Sequence, residues 1–158
     1  MADIQIIEEP EVSPGSRLAV VASRYNRAVV DRLLDGCLET LADKGIPASA
    51  VTVIRTPGAF ELPVVAKRLA AGGEVDAVIA LGAVIRGETP HFDYVAGECA
   101  RGLAAVAVEH ALPVIYGVLT VDSEEQARAR AGGGHGNKGT EAALTALEMI
   151  AIMHKLGP

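Results

Sequence analysis

The sequence predicts an α/β protein with a parallel sheet covered by helices on both faces. Three observations carry this expectation. Four short apolar, β-branched runs recur along the chain, segments with an apolar repeat of three to four residues lie between them, and cap or turn residues stand at the junctions. The 158 residues, 50% of them hydrophobic and 22% charged, suit one ordinary folded domain spanning 1–158, with a polar tail over 1–16.

The first run, 18–22 (LAVVA), suits a strand buried on both faces. Over 27–44 the apolar residues Val29, Val30, Leu33, Leu34, Cys37, Leu38 and Leu41 follow a helical repeat; Asn26 is placed to cap that helix and Gly45 to end it. The run 51–54 (VTVI) reads as a second strand of the same doubly buried kind. Pro63 fits the first turn of a second helix, which stops at Gly72-Gly73. A third strand covers 77–83, a third helix runs from about 92 to 110, and a fourth strand covers about 113–120.

SEEQ (123–126) has the form of a capping box and opens a short fourth helix. GGGHGNKG reads as a flexible glycine run before a fifth helix over about 140–156. Residues 142–153 are apolar on nearly every side, which fits either a subunit contact or a tightly packed core helix. Parallel strands joined through helices require right-handed crossovers, and ligands of such sheets collect beyond the carboxyl ends of the strands.

Composition narrows the function. A net charge of −6 with no Lys/Arg cluster argues against nucleic-acid binding. No apolar run approaches the roughly 18 residues of a membrane span. The N-terminus, MADIQIIEEPEVSPGS, is acidic and unlike a signal peptide, so a cytoplasmic protein is expected. Cys37 and Cys99 fall in helical patterns without metal-ligand spacing and read as buried structural thiols.

The chain has three tyrosines, two phenylalanines and no tryptophan. Tyr25 follows the first strand, Phe60 the second, and Phe92 and Tyr94 the third. Rings gathered at strand ends suit either the top of the core or a flat heterocycle stacked between them. In TPGAFELP (56–63), Gly58 permits close backbone approach, and Glu61 suits either the helix dipole or ligand hydroxyls. His91, four residues after Gly87, suits proton transfer near neutrality, although a lone histidine is more often structural. Backbone N–H groups at Glu88 and Thr89 are placed to hold an anion at a helix start. Arg130 and Lys138 flank the glycine run and suit a phosphate or oxyanion, while His135 reads as a solvated loop residue.

Taken together, SRYN, PGAFELP, GAVIRGETPHFDYV, GVLTVDSEEQARARAG and GNKGTEAA resemble, in order and spacing, the 6,7-dimethyl-8-ribityllumazine synthase family. The resemblance extends from about residue 18 to 153. It implies a flavodoxin-like three-layer α/β/α sandwich with a four-stranded parallel sheet. It also implies an enzyme that condenses 5-amino-6-(D-ribitylamino)uracil with 3,4-dihydroxy-2-butanone 4-phosphate, the penultimate step of riboflavin biosynthesis, without metal or organic cofactor.

Carried over by position, Tyr25 would stack on the pyrimidine, where the family often has Phe or Trp. Ala59, Phe60 and Glu61 would hold the ribityl-bearing substrate, and Ala83, Val84 and Ile85 would contact the pyrimidine through backbone. Glu88 and Thr89 would lie on the phosphate side, His91 would transfer protons, and Arg130 with Lys138 would bind phosphate. Tyr116 takes a place that is often Phe, yet it lies mid-strand, roughly 13 Å below the carboxyl end. The resemblance resolves this by building each site between adjacent subunits of a homopentamer, with the step to decamers or shells left open. The segment 4–7 would add a strand to the neighbour's sheet edge. A flavin-binding carrier or storage protein on the same fold, and Schiff-base catalysis by Lys138, are the competing expectations.

Overall fold

The structure, a computed structural model, describes residues 3–158. Strands β1 (Leu18–Ser23), β2 (Val51–Thr56), β3 (Ala77–Ile85) and β4 (Val114–Val121) form one parallel sheet in the order β2-β1-β3-β4. Helices α1 (Arg27–Asp43) and α5 (Lys138–Leu156) pack on one face, and α2 (Leu62–Gly72) and α3 (His91–His110) on the other. The result is a three-layer α/β/α sandwich of the flavodoxin-like kind. The short helix α4 (Glu124–Ala129) follows β4.

Alternation along the central strands builds both cores. In β3, Ala77, Ile79, Leu81 and Ala83 face α1 and α5, while Val78, Ala80 and Val84 face α2 and α3. The strand order reverses between β1 and β3, so the crevice at their carboxyl ends is where such a fold accepts a ligand.

Several local expectations need correction. β2 is not buried on both faces: Thr52 and Val53 are exposed, because β2 is a sheet edge and the helices pack over β1, β3 and β4. β3 continues two residues past the expected end, to Ile85. Asn26 makes no side-chain cap for α1; it adopts the left-handed conformation, φ 60° and ψ 44°, and its amide is used elsewhere. The glycine run is ordered as a hairpin of β5 (Ala131–Gly133) and β6 (Gly136–Asn137).

Asn137 is what holds that hairpin to the core. Its Oδ1 accepts from the N–H groups of Gly139 and Thr140, capping α5 two residues earlier than expected, and its Nδ2 donates to the Arg32 carbonyl at 3.0 Å. Gly139 lies against α1 so closely that a Cβ there would collide with the Leu33 carbonyl oxygen. Ala142, Ala143, Ala146, Leu147, Ile150 and Ala151 are buried within the subunit, so core packing accounts for most of the apolar character of α5; Leu144 and Leu156 remain exposed.

Other caps follow the residue types. Ser123 Oγ accepts from the Gln126 N–H, whereas the Gln126 side chain reaches back one residue further than in a capping box, to the Asp122 N–H. Gly45 and Gly73 take positive φ just beyond α1 and α2. Cys37 and Cys99 are buried, and burial pushes their thiols up to about 12 and about 11.

Candidate active site

Two clefts carry the residues singled out above. The first, about 720 Å³, lies over the carboxyl ends of β1 and β3. The loop after β1 is stitched to the loop after β2 by two backbone bonds, Arg24 N–H to Thr56 and Tyr25 N–H to Pro57. Asn26 then spans to β3, its Nδ2 donating to the Ala83 carbonyl at 2.8 Å. These bonds hold Tyr25 at the rim, where the residue is 74% exposed and open to a ligand.

Phe60 and Tyr94, both exposed, and Phe92, half-buried against the α2–α3 core, line the same cleft. Four aromatics 69 positions apart at their extremes therefore converge. Ala59, Ala83, Val84 and Ile85 form the apolar floor. Glu61 also lines it, with Oε2 accepting from the Gly58 N–H at 3.0 Å; the local structural role of this acid is thus filled by one carboxylate oxygen. Thr56 Oγ1 donates to the Gly58 carbonyl and tightens the same turn.

His91 is the first residue of α3, exposed, and lines the cleft with Thr89. Glu88 is exposed and does not line it.

The second cleft, about 480 Å³, runs along β4 and the hairpin. Tyr116, Arg130, His135, Lys138 and Glu141 line it. Arg130 ends α4, with Nη1 donating to the Gln126 carbonyl at 3.1 Å, and Lys138 follows the hairpin, its backbone N–H donating to the Arg130 carbonyl at 2.9 Å. The Lys138 ammonium lies 4.0 Å from Glu141, an exposed pairing that leaves both cations available to an anion.

Tyr116 pairs in register with Ala80, and Val121, which ends β4, is five residues further on, about 17 Å along the strand. Burial pushes its hydroxyl up to about 12. Tyr116, Arg130 and Lys138 are absent from the lining of the first cleft. The structure thus brings Tyr25, Ala59, Phe60, Glu61, Ala83, Val84, Ile85, Thr89 and His91 together, sets Tyr116, Arg130 and Lys138 apart in the second cleft, and leaves Glu88 lining neither.

Asn26, Val95 and Glu141 line these clefts without having been singled out as site residues. Asn26 carried a signal, since a polar residue directly after a strand-end aromatic faces the same mouth. Among the described residues, no group of three or more His, Cys, Asp or Glu side chains is placed to hold a metal ion, and no helix is long and apolar enough to cross a membrane. The sequence model of the 6,7-dimethyl-8-ribityllumazine synthase family matches residues 15–154.

Proposed function

We propose that this chain, which belongs to the 6,7-dimethyl-8-ribityllumazine synthase family and carries out its reaction, builds each active site from two subunits. The enzyme, a transferase of riboflavin biosynthesis, joins 5-amino-6-(D-ribitylamino)uracil to 3,4-dihydroxy-2-butanone 4-phosphate. The pyrimidine's 5-amino group attacks the ketone, and an imine forms with loss of water. Phosphate then leaves, and closure of the second ring releases another water to give the lumazine.

In this reading the pyrimidine stacks on Tyr25 with its edge on the backbone of Ala83, Val84 and Ile85, and the ribityl chain lies over Ala59, Phe60 and Glu61. His91 carries protons between the substrate nitrogen and oxygen atoms. Glu88 and Thr89 lie on the phosphate side through their backbone N–H groups, and the neighbour's Arg130, Lys138 and Tyr116 complete it. Arginine offers the phosphate paired, charge-assisted bonds, and lysine adds a point charge. Much of the rate comes from holding two reactants in contact, which is worth several kcal/mol.

One observation carries the shared site: on a single chain the proton-transfer histidine and the cations line different clefts. A homopentameric ring working in the cytoplasm brings the two together. It also gives Ile4 and Ile6, 81% and 77% exposed, a neighbouring sheet edge such as β2 to cover. The test mixes His91→Ala and Arg130→Ala proteins after reversible dissociation. Hybrid rings should regain lumazine fluorescence and phosphate release, because some interfaces pair an intact His91 with an intact Arg130. Mixed rings without activity would overturn the shared site.

A further inference from the structure

His91 opens α3, whose N-cap residue, Pro90, offers no side-chain bond; α1 and α2 also lack a side-chain cap, whereas Ser123 caps α4 and Asn137 caps α5. An uncapped first turn frays unless something else holds it. The turn has only weak local support: the His91 N–H reaches Thr89 Oγ1 at 3.4 Å, and Asp93 N–H bonds the Pro90 carbonyl at 3.0 Å.

Arg86 supplies the rest. Its backbone N–H donates to the Val121 carbonyl at 2.9 Å, fixing it at the top of the β3–β4 ladder. Its guanidinium lies 4.4 Å from the centroid of the Phe92 ring, 3.5 Å from Asp93 and 2.9 Å from Asp122. One side chain thus grips the two residues directly after His91 and ties them to the end of β4. We infer that Arg86 is a positioning residue for proton transfer, holding the first turn of α3 so that His91 faces the substrate. This rests on the role of His91 given above.

All three charged partners are about half exposed or more, with side-chain exposures of 51% for Arg86, 63% for Asp93 and 68% for Asp122. Exposed pairs of this kind add little to stability, so a loss of activity separates from a loss of fold. Misplacing a reacting group by a fraction of an ångström is costly in rate, and Arg86→Ala should lower kcat about tenfold while both KM values move little.

The experiment is a double-mutant cycle on the full enzyme, read as kcat for lumazine formation. Arg86→Ala should slow the wild type and add nothing in a His91→Ala background. Arg86→Lys should restore little, since it keeps the charge and loses the fork and the stacking plane. Asp122→Asn provides a milder loosening, with a smaller loss that also vanishes once His91 is removed; it decides the matter if Arg86→Ala does not fold. An unchanged kcat in Arg86→Ala, or an equal further loss in the His91→Ala background, overturns the inference. If His91→Ala alone is fully active, the fault lies instead in the role assigned to His91.

Discussion

The Asn26 amide and the Ala83 carbonyl are joined by a 2.8 Å hydrogen bond that ties the end of β1 to the end of β3 across the mouth of the first cleft. This bond accounts for the left-handed backbone at Asn26, a conformation asparagine tolerates better than most residues. Asn26→Gly keeps the backbone and loses the bond, so it should cost about 1 kcal/mol. Asn26→Ala loses the same bond and, unlike glycine, keeps a Cβ in the left-handed region without the polar side chain that makes it tolerable, so it should be less stable than Asn26→Gly. Asn26→Asp turns a donor into an acceptor aimed at a carbonyl. If denaturant midpoints show Asn26→Asp as stable as the wild type, the bond carries nothing.

Arg130→Ala should raise KM for the ketose phosphate about a hundredfold or more, as loss of a charge-assisted pair of bonds implies, and barely change KM for the pyrimidine. Arg130→Lys should recover only part of the loss. Steady-state kinetics with each substrate varied in turn decides this, and equal effects on both substrates contradict the assignment.

His91→Ala should slow turnover by roughly one to two powers of ten without abolishing it, because water replaces part of the acid–base help and the positioning of two reactants survives. Pre-steady-state lumazine formation is the measurement. An unchanged rate removes His91 from the mechanism.

Stability should fall on the alkaline side. Burial raises Cys37 from 9.0 to about 12, Cys99 from 9.0 to about 11 and Tyr116 from 10.0 to about 12. Above pH 9 the unfolded chain gives up protons that the folded chain must keep. The contribution is therefore complete below about pH 9 and is lost as pH rises toward about 12. Urea midpoints measured across that range should decline, and less steeply for Cys37→Ala. Both thiols should also resist alkylation in the native protein at pH 8, since so little thiolate exists.

Gly139→Ala should be among the most damaging of small substitutions. The added methyl would meet the Leu33 carbonyl oxygen, a backbone atom that cannot rotate away, and separating α1 from α5 should cost about 3 kcal/mol. Gly134→Ala, with nothing within 4 Å of the new methyl, is the control and should melt with the wild type.

Much of the fold was legible because strand and helix signals are local. The β-branched runs of β1 and β3 and the apolar repeat of α1 declare themselves within a few residues. What escaped depends on partners far along the chain. Whether Val53 is covered depends on β2 being an edge, which no local pattern states. Asn26 has the residue type of a cap, but the Ala83 carbonyl, 57 positions away, competes successfully for its amide. The glycine run looked flexible because its anchor, the Asn137 bond to Arg32, spans 105 positions. Strand-end aromatics were readable as a group because the parallel topology sends all such ends to one side; Arg86 was not, since Asp122 lies 36 positions off.

The division of residues between two clefts has a genetic consequence if rings form as proposed. A chain altered only at His91 spoils one site and still lends its Arg130 to the next, so in cells that make both forms the activity should fall in simple proportion to the altered fraction. A chain altered at both His91 and Arg130 spoils the site on either side of it. Activity should then follow the square of the intact fraction, and the doubly altered allele should behave as partly dominant where each single allele does not.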